Sequence, residues 1–197
     1  MDEMVYAFDE LTPDWQPLAG GKGSTLARLY QAGYPVPDGF VVLPAAFDGD
    51  SLPPGELSAG AWAQVQAHLA RLRGDDPQAA FAVRSSALVE DSAQASFAGE
   101  FETVLDVRTD EAVRAAIVLV RQSRRSERVR AYSQARDVDT VQAAAGSEMA
   151  VVVQCLVRAK MSGVLFTADP VSGSRSHMVG NYGYGLGDRL VSGEAEP

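Results

Sequence analysis

The apolar positions along this chain switch between a helical and a strand period, and the switches divide it into elements. Leu26, Leu29 and Tyr30, after a glycine cluster and ahead of Gly33, predict a short helix that Ser24 or Thr25 caps and Gly33 ends. Pro35 and Pro37 flank Val36. Because the residue before a proline avoids helical geometry, the chain should run extended into a strand at Phe40 to Leu43. Asp48 to Gly60, with Gly49, Pro53, Pro54 and Gly55, predicts a surface loop. Trp62, Val65, His68, Leu69 and Leu72 then share one face of an amphipathic helix. Ala80 to Val83 is short, apolar and β-compatible, whereas Ser85 to Gly99 has neither period. A long loop is predicted there, of a kind that often carries function.

Thr103 to Val107 alternates like a strand. Thr109, Asp110 and Glu111 supply a cap and an acidic first turn for a helix through about Gln122, with a second helix at Ser126 to Ala135. Ala150 to Val157 is nearly continuous in β-branched and apolar residues, the pattern of a strand buried on both faces, and Gly163 to Phe166 is expected beside it. Pro170 to Gly173 marks a turn. Met178 and Val179 suggest a further strand before the glycine-dense loop Asn181 to Gly187, and Leu190 with Val191 again looks strand-like.

At 197 residues and 46% hydrophobic content the chain can bury a sizeable core, as one domain or one domain plus a lobe of a second. A formal charge of -9, from 26 acidic against 17 basic residues, argues against a nucleic-acid or acidic-membrane surface and leaves room for a local cationic pocket. The arginines at 121, 124, 125, 128, 130 and 136 scatter around helix faces with Glu127 among them, which reads as a solvated surface. Cys155 stands alone, so no intramolecular disulfide is expected, and its apolar surroundings predict a buried thiol suited to a reducing cytosol. The amino terminus has no signal-peptide pattern, and no run approaches the roughly 18 apolar residues of a membrane span. A soluble, cytoplasmic protein is expected.

Three segments could carry chemistry. Gly20-Gly21-Lys22-Gly23, ahead of the first helix, reads either as a phosphate site, with bare backbone and a lysine at a helix start, or as a flexible turn with a solvated lysine. It is not a Walker A loop, because Lys22 is followed by Gly23 and Gln16 stands where the first glycine belongs. Val83-Arg84-Ser85-Ser86 places a guanidinium and two hydroxyls at a strand end, fit for phosphate oxygens or for a surface ion pair. Ala95-Ser96-Phe97-Ala98-Gly99-Glu100-Phe101-Glu102-Thr103 could close over a triphosphate with backbone amides and Ser96 while Phe97 keeps water out. Alternatively it is the approach to a hairpin, with Phe97 in the core.

In this order the three segments resemble the amino-terminal nucleotide-binding domain shared by phosphoenolpyruvate synthases, pyruvate phosphate dikinases and rifampicin phosphotransferases. The resemblance extends through Val36-Pro-Asp-Gly-Phe, Glu90-Asp91, Val152-Val-Gln, Ser162-Gly-Val-Leu-Phe-Thr-Ala-Asp-Pro170, Gly185-Leu-Gly-Asp and Val191-Ser-Gly193. It implies an α+β ATP-grasp fold in which two lobes hold ATP, residues 1–148 forming a complete first lobe and 149–197 the start of a truncated second. Lys22 and Arg84 would contact phosphate, and Ser96, Phe97, Ala98 and Gly99 would cover it. Gln154, Leu156 and Val157 would lie at the hinge beside adenine. The family transfers the β-phosphoryl of ATP, with Mg²⁺ bridging the phosphates, to a histidine of a swivelling domain, which passes it to pyruvate or another acceptor.

The second-lobe metal ligands of such a protein are expected beyond residue 197, with Asp169 and Asp188 each in a turn-like motif. Neither His68, on a helix face, nor His177 has the surroundings of a phosphohistidine. No catalytic residue is assigned. The swivelling and acceptor-binding domains would act in cis or in trans. A remnant that binds nucleotide without turnover, or serves as an interaction partner, is the alternative, and a stand-alone ATP-grasp ligase is a more distant one.

Overall fold

The structure, a computed structural model, describes residues 3–47, 56–87, 103–134 (side chains to 123) and 149–187. These form two compact units, 1–156 and 157–197. The first unit is built on a five-stranded sheet. Its strands are β1 (Val5–Ala7), β2 (Gly39–Val42), β3 (Phe81–Ala87), β4 (Thr103–Val107) and β5 (Met149–Cys155), ordered β1-β2-β5-β3-β4. Every neighbouring pair is antiparallel. Three helices, α1 (Gly20–Gln31), α2 (Ala59–Arg73) and α3 (Asp110–Gln134), complete an α+β unit.

Strand alternation sends the sheet's side chains into two cores. Val5, Phe40, Val42, Phe81, Val83, Met149, Val151 and Val153 pack against Ala61, Val65 and Leu69 of α2 and Val113, Ala116, Ile117 and Val120 of α3. On the opposite face Tyr6, Val41, Ala150 and Val152 pack against Ala27 of α1, with Phe8, Leu11 and Ala19. β5 lies between β2 and β3 and is buried on both sides, as its unbroken apolar run predicts. Because it is integral to this sheet, the first compact unit runs to Leu156, past the boundary at 148 drawn from the sequence.

Local chemistry explains the element ends. Gly33, at φ 79°, ends α1 as predicted: its N–H donates to Tyr30 O and that of Tyr34 to Leu29 O, the paired bonds of a Schellman turn. Ser58 caps α2, its Oγ accepting from Ala61 N at 3.2 Å. Thr109 caps α3 in the same way through Ala112 N. Here the structure corrects the sequence reading, since α3 is one helix through Gln134 instead of two; no glycine or proline interrupts it. Arg121 also departs from the solvated role expected of it. It donates to Met149 O at 2.7 Å and lies 4.9 Å from the Phe47 ring, joining α3 to the sheet.

The second unit holds a hairpin of β6 (Met161–Phe166) and β7 (Val179–Tyr184). β6 therefore pairs with β7 and not with β5, and the first part of the glycine-dense Asn181 to Gly187 segment is strand. The expected turn is present: Gly173 N donates to Asp169 O and Asp169 N to Ser174 O, both at 2.8 Å. The expected strand at Leu190 and Val191 lies outside the described residues. No described helix is long and apolar enough to cross a membrane.

Candidate functional site

The Gly20 to Gly23 cluster forms the first turn of α1, where a loop was expected. Gly20 has φ 71° and ψ 172°, a conformation open essentially to glycine alone. A Cβ there would also stand 2.4 Å from both the carbonyl oxygen and Oγ of Ser86. A Cβ on Gly23 faces Val41 Cγ2 at 3.3 Å. These two glycines thus let the start of α1 press onto β3 and β2, a packing role that the phosphate reading of the motif left out. Lys22, between them, is exposed.

Ser86 makes the joint. Its Oγ donates to Ala19 O at 2.7 Å and accepts from Gly23 N at 2.9 Å, and the residue is fully buried. Two residues earlier on the same face of β3, Arg84 is exposed between Val152 of β5 and Thr103 of β4. The structure therefore carries Lys22 and Arg84 on two elements locked together by one buried hydroxyl. Both hydroxyls after Arg84 were read as phosphate donors. Ser86 has both its bonds inside the protein, and Ser85 points to the opposite face, where its Oγ is buried with no hydrogen-bond partner among the described residues. The period of two from Arg84 was the signal for Ser86; its partner 63 residues earlier had none.

Gln154 sits beside Ala82 on the same sheet face, diagonal to Arg84. It is buried, and its Nε2 donates to Pro37 O at 3.0 Å. Leu156 extends the ladder by one bond to Ala80 O and is half-buried. Val157 is exposed and is the first residue of the second unit. Ser96, Phe97, Ala98 and Gly99 lie outside the described residues, as does Asp188.

The Val36-Pro-Asp-Gly-Phe segment turns out to be a clamp around the end of β5. Asp38 receives Arg71 at 3.0 and 3.4 Å and Gly39 N at 2.7 Å, while its carbonyl accepts from Cys155 N. Burial lowers the Arg71 pKa, but the hydrogen bond and charge of Asp38 outweigh it and raise the value overall. Cys155 is half-buried, less enclosed than predicted, and burial followed by the Asp38 charge raises its pKa.

His68 stacks on Phe40 with centroids 5.3 Å apart. In the second unit the exposed His177 meets Asp169 at 3.5 Å and Ser176 Oγ at 3.1 Å. Among the described residues no group of three or more His, Cys, Asp or Glu could hold a metal ion.

What the first unit offers is an exposed guanidinium on β3 and an exposed ammonium in the opening turn of α1, a helix whose dipole favours anions there. The model of the pyruvate phosphate dikinase AMP/ATP-binding domain matches residues 52–197. The chain belongs to this family. Arg84 falls within the matched region; Lys22 precedes it, in a segment that whole-length relatives also cover. This dikinase-family chain is 32% identical to a phosphoenolpyruvate synthase of Aeropyrum pernix, over 98% of the chain and 28% of that protein. It is 36% identical to the prodigiosin synthesizing transferase PigC of Serratia marcescens, over 89% of the chain and 21% of that protein. A rifampicin phosphotransferase of a Streptomyces species is also 36% identical, over 90% of the chain and 24% of that protein. The chain thus spans roughly a quarter of the length of these relatives.

Proposed function

We propose that this AMP/ATP-binding domain is an ATP-grasp module in which Lys22 and Arg84 grip the polyphosphate of ATP, serving a cytoplasmic phosphotransferase. The observation that carries the reading is the Ser86 joint, which holds a point-charge lysine and a forked guanidinium on linked elements. Such a pair suits a substrate with several anionic oxygens: Lys22 neutralises charge and Arg84 can donate to two oxygens in one plane. The Ser96 to Gly99 segment would cover the phosphates. Gln154 would act through its place in β5, since its amide nitrogen is already bonded to Pro37.

The reaction served is transfer of the β-phosphoryl group of ATP to a histidine of a swivelling domain, with AMP and phosphate as products once water has accepted the γ-phosphoryl. Mg²⁺, when bound, would offset the charge of the phosphates. Among the described residues no group of three or more His, Cys, Asp or Glu comes together to hold it, and no ligand is assigned. The acceptor histidine would belong to another domain, in cis or trans; within this chain His68 stacks on Phe40 and His177 lies exposed beside Asp169.

Isothermal titration with Mg·ATP tests the site. Lys22→Ala and Arg84→Ala should each weaken binding by about tenfold or more, the worth of a charge-assisted hydrogen bond. Undiminished binding by both variants would remove the proposal. Binding that depends on both residues, without transfer to a swivelling domain supplied in trans, would identify a nucleotide-binding protein without turnover.

A further inference from the structure

We propose that Ser86 is the positioning residue that sets Lys22 in register with Arg84, an inference that rests on the ATP-site reading above. The first backbone bond of a regular helix runs from the N–H four residues in to the carbonyl of the capping residue. In α1 those groups are Gly23 N and Ala19 O, and the Ser86 hydroxyl bridges them at 2.9 and 2.7 Å. Lys22 lies inside the bridged turn. Its backbone position is therefore tied to β3, two residues from Arg84 on the same face.

The turn needs this support. It contains three of the residues least suited to a helix, Gly20, Gly21 and Gly23, and Ala19 provides no side-chain cap. Glycine at 20 admits Ser86 in turn, for any Cβ would collide with its Oγ and carbonyl. One hydroxyl is both donor and acceptor here, which neither alanine nor a purely donating side chain can reproduce. Ser86 touches no phosphate in this arrangement, so its effect on ATP must pass through Lys22.

A double-mutant cycle on Mg·ATP affinity, measured with the full chain, separates that route from general loosening of the fold. Ser86→Ala should weaken ATP binding by about fivefold to tenfold, approaching the loss caused by Lys22→Ala. In the Lys22→Ala background it should cost nothing further. Ser86→Cys, similar in size but a weak hydrogen-bonding group, should fall between serine and alanine and carries the cycle if the alanine variant does not fold. An equal loss in both backgrounds, or no loss in the wild-type background, overturns the positioning role. If Lys22→Ala and Arg84→Ala themselves leave affinity unchanged, the ATP-site reading falls and this inference with it. If they weaken binding while Ser86→Ala does not, only this inference falls.

Discussion

Gln154 Nε2 donates to the Pro37 carbonyl at 3.0 Å across 117 residues of sequence. The bond joins the end of the central strand β5 to the turn that enters β2. Gln154→Leu keeps the approximate volume and removes the donor. It should cost about 1–2 kcal/mol of stability, read as a lower urea midpoint at unchanged slope. A cost below about 0.3 kcal/mol would show that the bond contributes nothing to the clamp.

Gly20 and Gly33 both have positive φ, but only Gly20 is crowded. Gly33→Ala, with nothing within 4 Å of the new Cβ, pays backbone strain alone, about 1 kcal/mol. Gly20→Ala adds a collision with Ser86 and should exceed about 3 kcal/mol. Thermal unfolding of the two variants side by side checks the order. Equal costs would mean that Ser86 does not press on α1.

Cys155 should alkylate slowly at neutral pH, with a rate midpoint above the ordinary thiol value of about 8.5. Asp38→Asn removes one cause of the raised pKa and should move the midpoint down. The sign for stability follows from the protonated thiol being favoured in the folded chain. Its contribution is complete below the unfolded pKa and is lost as pH rises through the folded one. Iodoacetamide kinetics against pH, in both variants, give the comparison; an unmoved midpoint in Asp38→Asn excludes the Asp38 contribution.

Asp169 behaves in the opposite sense. Hydrogen bonds from Ser172 Oγ, at 2.6 Å, and Val171 N, at 2.9 Å, hold its pKa below the usual carboxylate value. The turn's support from this carboxylate is present above the unfolded pKa of about 3.9 and is lost as pH falls through the folded value. Ser172→Ala should raise the Asp169 midpoint, followed by NMR at the Val171 amide. A midpoint unchanged by the substitution would rule out the Ser172 bond.

Local signals in the sequence carried as far as local physics reaches. Gly33 ended α1 because a positive φ is needed there, and Val65 with Leu69 marked the buried face of α2 because four residues return a helix to the same side. β1 escaped notice: its three residues are too short to show a period, and pairing with β2 is what makes them a strand. The partner of β6 was likewise beyond local reading, because an apolar run states that a strand needs neighbours and not which ones.

The candidate site divides along the same line. Lys22 and Arg84 could be proposed from residue type and from the collinear family pattern, since charge is a property each side chain carries by itself; the structure adds that both are exposed. That Gly20 and Gly23 serve contact with Ser86, that Asp38 holds Arg71, and that Gln154 is engaged by Pro37 depended on tertiary structure. Each is a pairing between groups distant in sequence, and a donor or acceptor does not reveal its partner until folding brings the two within about 3 Å.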